Sequence, residues 1–132
     1  MDSKFYVSLE AARLLKEKGY DRECVAYYQH ERFHPYSVDL FRLSTYNKNA
    51  APDYMEQYSA PTKDEAVDWL ESNGIYISVY YRELTGKFFC EIHYNKIQYK
   101  DKESDLTEDY KTRLEAKDAA IINACKLLKN GN

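Results

Sequence analysis

Glycine is scarce in this chain, four residues in 132, and none are grouped as a phosphate-binding loop. Phosphate cradles need closely spaced glycines, so nucleotide hydrolysis of that type is excluded. Cysteine is scarcer still: Cys24, Cys90 and Cys125 leave an odd thiol and build no disulfide framework. Free thiols fit a reducing compartment. No apolar run approaches the ~18 residues of a membrane-spanning helix. The opening Met1-Asp2-Ser3-Lys4-Phe5 has no apolar stretch of a secretion signal. A soluble, cytoplasmic protein without membrane contact is the expectation. A basic excess is missing too. The net charge is -3, and residues 1–34 carry six basic and six acidic groups, 35–74 three and seven, 75–132 ten and nine. That balance weighs against a nonspecific polyanion binder.

Tyrosine is abundant, at 14 residues, and lifts the aromatic share to 15%. The mean hydropathy of -0.76 would suit a disordered chain. Tyrosine, however, scores as polar on that scale and packs like a large hydrophobe. With 44% hydrophobic residues, the 132-residue chain has the length and composition of a single globular domain, 1–132.

Caps mark three helices. Ser8 precedes Leu9–Lys16, with lysine late and Gly19 as terminator. Thr62 and Glu65 form a capping box before Ala66, Trp69 and Leu70, and Gly74 ends that segment. Thr112 and Glu115 form a second box, after which Leu114, Ile121, Cys125 and Leu128 share a helical face. Strands follow from alternation. Ile75, Ile77, Val79 and Tyr81 point one way, with Tyr76, Ser78, Tyr80 and Arg82 opposite. After Leu84-Thr85-Gly86, the run Phe88–Asn95 alternates likewise, so the two runs form a hairpin. A weaker hairpin is expected between Cys24–Gln29 and Val38–Thr45 around Pro35, with 47–60 and 100–109 as loops.

The expected fold is α+β, an antiparallel sheet of about four strands with three helices in the order α-β-β-α-β-β-α. The spacing Glu10-Ala11-x-x-Leu14-Leu15-x-x-x-Gly19 matches Glu65-Ala66-x-x-Trp69-Leu70-x-x-x-Gly74. An internal αββ duplication would produce that match, as would the cap grammar common to amphipathic helices.

Tyr6-Val7-Ser8-Leu9-Glu10, continuing through Leu14-Leu15 to Gly19, and Tyr58-Ser59-Ala60-Pro61-Thr62 followed by Ala66 and Trp69-Leu70 also carry a resemblance. The chain is similar there to a family of small uncharacterised proteins spread among Bacteroidales genomes, their prophages and conjugative elements. The resemblance implies a mobile-element accessory protein and transfers no functional residues.

Three constellations could carry chemistry. His30-Glu31-Arg32-Phe33-His34 fits His-Glu-x-x-His, which on a helix sets two imidazoles on one zinc ion. Pro35 drives His34 out of helical geometry, and Cys24–Gln29 is rich in strand formers. On a strand the two histidines lie about 13 Å apart, too far for one metal. A zinc hydrolase on His30, Glu31 and His34 is therefore the alternative, and the expectation is no metal and no cofactor. Cys90 and His93 fall on opposite strand faces, which spoils a Cys-x-x-His pair. Glu115-Ala116-Lys117-Asp118-Ala119-Ala120 resembles the last helix of double-stranded RNA-binding domains, but its signs are mixed where those helices cluster lysine for phosphate. Nucleic acid is thus the weaker partner class.

Tyr76, Tyr80, Arg82, Phe89 and His93 should share the sheet face opposite Ile75, Ile77 and Val79. Exposed Tyr, Arg and Phe make up protein-binding hot spots. The expected function is a non-enzymatic interaction module, a homodimer or the binder of another protein, with those five residues as its contact surface.

Overall fold

The structure is a computed structural model. It describes residues 3–128 except 36, 40, 41, 45 and 46, with the backbone alone at 37–39, 42–44 and 53. The class is α+β, as expected, but the chain divides into two compact units, Met1–Thr62 with Leu128–Asn132, and Lys63–Leu127. No helix among the described residues is long and apolar enough to cross a membrane.

In the first unit a 3-10 turn, Ser3–Phe5, leads into α1, Leu9–Glu17. The Ser8 side chain caps α1 by accepting from the Ala11 N–H at 3.2 Å. At the far end Gly19 takes φ +96°. The Tyr20 N–H donates to the Leu15 carbonyl and the Gly19 N–H to that of Lys16, which is a Schellman closure. Tyr20 is buried, as are Leu15, Ala11 and Ala12.

Three antiparallel strands form this unit's first sheet: β1 (Ala26–Gln29), β2 (Arg32–His34) and β5 (Gln57–Ala60), in the order β2-β1-β5. The expected pairing of Cys24–Gln29 with Val38–Thr45 is not the one formed. β1 turns at His30-Glu31, both at positive φ, and pairs Tyr28 with Phe33 and Gln29 with Arg32. Positive φ at both central positions twists a two-residue loop to match its strands. Residues Ser37–Asp39 (β3) and Arg42–Ser44 (β4) pair with each other instead, and Thr45 lies outside the described residues. Nor is 47–60 all loop. After 3-10 turns at Lys48–Ala50 and Asp53–Met55, β5 joins β1 through Ala26↔Ala60 and Tyr28↔Tyr58. Tyr28 spans the core to donate to the Val7 carbonyl at 2.8 Å.

The second unit opens with α2, Lys63–Ser72, which buries Ala66, Trp69 and Leu70. Gly74, at φ +83°, turns the chain into β6 (Ile75–Arg82), which pairs along its whole length with β7 (Lys87–Tyr94). The strand β8 (Asp105–Leu106) lies within the expected loop at 100–109 and adds to the other side of β7, giving the order β6-β7-β8. Thr107 extends that contact, its hydroxyl accepting from the Cys90 N–H at 2.8 Å. α3, Arg113–Leu127, starts at the expected cap, where the Thr112 hydroxyl accepts from the Glu115 N–H and donates to its carboxylate. Helices α2 and α3 cover one sheet face, and Ile75, Cys90, Ile92 and Tyr94 are buried beneath them with Ala120 and Ile121.

Among the described residues two three-stranded sheets and the β3–β4 pair thus stand where one sheet of about four strands was expected. Helix then hairpin recurs in both units. The third strand, however, joins the hairpin's first strand in one sheet and its second strand in the other.

Candidate functional site

The alternation of β6 and β7 decides what reaches the uncovered face of the second sheet. Register sets Tyr76 opposite His93, Ser78 opposite Glu91, Tyr80 opposite Phe89 and Arg82 opposite Lys87. The five residues expected to share a face therefore sit on three of these four rungs: Tyr76–His93, Tyr80–Phe89 and, at the hairpin end, Arg82–Lys87. Tyr76 and Tyr80 are 39% and 43% exposed, although packed sheet faces ordinarily bury such rings.

Their neighbours hold these side chains in place. The Tyr80 and Phe89 rings stack with centroids 5.4 Å apart. The Arg82 guanidinium lies 4.3 Å from the Phe89 centroid, and its Nε donates to both Asp109 oxygens, at 3.1 and 3.4 Å. Stacking and a carboxylate partner together fix a side chain that would otherwise sample many rotamers. His93 is bracketed by Glu91, 3.0 Å from Nε2, and the Ser104 hydroxyl, 3.2 Å from Nδ1. The resulting surface carries aromatic rings, hydroxyls and charge of both signs.

Asp109, Glu91 and Ser104 complete this surface and were not picked out from the sequence. Glu91 was accessible to the same alternation that found His93. Asp109 and Ser104 come from a charged segment with no period to place them.

His30 and His34 do not meet. His30 sits in the β1–β2 turn with Nδ1 3.0 Å from a Glu56 oxygen, whereas His34 ends β2 with its ring stacked on Tyr27 at 4.7 Å. The helix that His-Glu-x-x-His needs is replaced by a turn and a strand. Cys90 lies on the helix-covered face and His93 on the open one. Burial pushes the Cys90 thiol up to about 11, against the opposing pull of Lys117 and Arg113, so it stays protonated and inert near neutrality. No group of three or more His, Cys, Asp or Glu among the described residues is placed to hold a metal.

The first unit has an open cleft of about 700 Å³ lined by Arg13, Lys16, Glu17, Asn49, Ala51 and Tyr58. Its cations are engaged: Lys16 donates to the Ala51 and Gln57 carbonyls at 3.1 Å, and Arg13 pairs with Glu31. Lys16 ties α1 to the segment leading into β5, a structural role.

No family model, no curated protein and no solved structure matches the chain.

Proposed function

We propose that this chain is a non-enzymatic protein-interaction module, an accessory protein of a mobile element, whose contact surface is the open face of β6 and β7. The observation that carries the reading is the Tyr80–Phe89 stack with Arg82 laid over it, Tyr80 and Arg82 exposed, Phe89 half-buried, and all three already held in one geometry. Ordered aromatic and arginine side chains lose little entropy on binding, which is why such groups dominate hot spots. Protein suits this surface better than nucleic acid. Asp109 answers Arg82, and Glu91 stands beside His93, so the face offers no uncompensated positive track for phosphates.

The test is the double substitution Tyr80→Ala with Phe89→Ala, compared with wild type by affinity capture from source-cell extract and by sedimentation. Loss of a captured protein or of self-association, with unchanged circular dichroism, supports the reading. Identical capture and sedimentation in a folded variant would contradict it.

A further inference from the structure

We infer that β6 is the edge along which two copies of this chain join, by antiparallel pairing of Ile75–Arg82 with the same strand of a second copy. This rests on the reading of the chain as an interaction module and names its partner.

Among the described residues β6 is an edge strand, hydrogen-bonded to β7 alone. The outward direction of its backbone groups follows from β7. Phe88, opposite Tyr81, exchanges hydrogen bonds with Tyr110, and Cys90, opposite Val79, turns its N–H and carbonyl to Thr107. In an antiparallel ladder both members of such a pair face away from each other. The N–H and carbonyl groups of Ile77, Val79 and Tyr81 therefore point out of the sheet edge. Among the described residues they meet no hydrogen-bond partner.

Exposed edges are ordinarily blunted by proline, lysine, a bulge or shortness. The other edges among the described residues follow that rule: β2, β3 and β4 have three residues each, β5 has four and runs into Pro61, and β8 has two. β6 has eight residues in unbroken register, no proline, and one charge, Arg82, at its end. The apolar layer is also unfinished there. Cys90 and Ile92 are 0% exposed, whereas their cross-strand partners Val79 and Ile77 are only half-buried.

A second copy completes both deficits because the strand is complementary to itself. With a two-fold axis at Ser78, the outward groups of Ile77 and Val79 pair with Val79 and Ile77 of the other copy, and Ile75 pairs with Tyr81. On the open face Tyr76 meets Tyr80 of the second copy, which extends the Tyr80–Phe89 stack across the seam. Arg82 falls opposite Gly74, so no like charges oppose each other. A two-fold pairing also closes on itself, leaving no β6 edge for further growth.

Ser78 supplies the test, since its half-exposed side chain lies on the open face and changing it leaves the helix-covered core intact. Facing non-hydrogen-bonded residues have Cα atoms about 4.5 Å apart, within the range a disulfide spans. Ser78→Cys should therefore oxidise to a covalent dimer, while a control Leu84→Cys in the hairpin loop should not. Ser78→Lys sets two cations about 5 Å apart at the axis and should weaken dimerisation about tenfold, with unchanged circular dichroism. Wild type should sediment at twice the 15.6 kDa chain mass. A wild type that stays monomeric at every concentration, or a dimer that Ser78→Lys leaves intact and Ser78→Cys fails to cross-link, would overturn the inference. A monomer that still loses a captured protein on Tyr80→Ala with Phe89→Ala would overturn self-pairing alone and leave the interaction reading standing.

Discussion

Asn49 is placed to be a larger determinant of the first unit than its position in a short 3-10 turn implies. Its Nδ2 donates to the Tyr20 carbonyl at 2.8 Å, and its Oδ1 accepts from the Ser59 N–H at 2.8 Å. One amide thereby ties the exit of α1 to β5, beside residues that are themselves buried. Asn49→Ala leaves two backbone groups without these partners. At ~1 kcal/mol for each lost bond, and more where the orphaned group stays dry, the cost should be about 2–3 kcal/mol. Asn49→Asp is the sharper probe. It keeps the acceptor for Ser59 but turns a carboxylate oxygen toward the Tyr20 carbonyl, so at neutral pH it should cost at least as much. The loss should shrink as acid protonates the new carboxyl and restores a donor. Urea denaturation followed by circular dichroism measures the cost, and hydrogen exchange at the Ser59 amide locates it. A loss below about 0.5 kcal/mol for Asn49→Ala, or an Asn49→Asp variant as stable as wild type at pH 7, would refute the reasoning.

Two further predictions concern the backbone and pH. Replacing His30-Glu31 with Asn-Gly should stabilise the first unit by about 1 kcal/mol in thermal denaturation, because both residues sit at positive φ and their side-chain pairs with Glu56 and Arg13 are solvent-exposed. No gain would mean that those pairs outweigh the backbone strain. The second unit should fail in alkali. Burial first, then the Asp105 carboxylate, push the Tyr94 phenol up to about 12, and burial raises Tyr99 and takes Cys90 to about 11. Folded values above the ordinary 9.0 for the thiol and 10.0 for the phenols mean full stability below those values, lost as pH rises toward 11–12. Fluorescence of the single tryptophan, Trp69, should report unfolding in that window, and a signal unchanged to pH 12 would contradict it.

The elements legible in the sequence are those specified by nearest neighbours. Ser8 and Gly19 bracket α1, and Thr112 with Glu115 opens α3, because caps act within one helical turn. The β6–β7 hairpin was legible because eight alternating residues on each side of a glycine-containing loop admit one register, and that register sets the five residues on one face. The first sheet was not legible. Its turn is His30-Glu31 rather than Asn-Gly, so the eye passes on to Pro35, and β1's second partner lies about thirty residues away in a four-residue strand with no period to reveal it. Asn49 was missed for the same reason: its role depends on Tyr20 and Ser59, which only the folded chain brings within reach.

The claim that the exposed β6 ribbon is where this chain meets its partner is tested most directly by residue-resolved hydrogen exchange at Ile77, Val79 and Tyr81. Their amides point out of the edge, so in an isolated chain they should exchange as freely as loop amides. The account predicts protection that grows with protein concentration and is lost in Ser78→Lys, while Tyr76 and Tyr80, bonded to β7, stay protected throughout. Free exchange of the three outward amides at every concentration would contradict it.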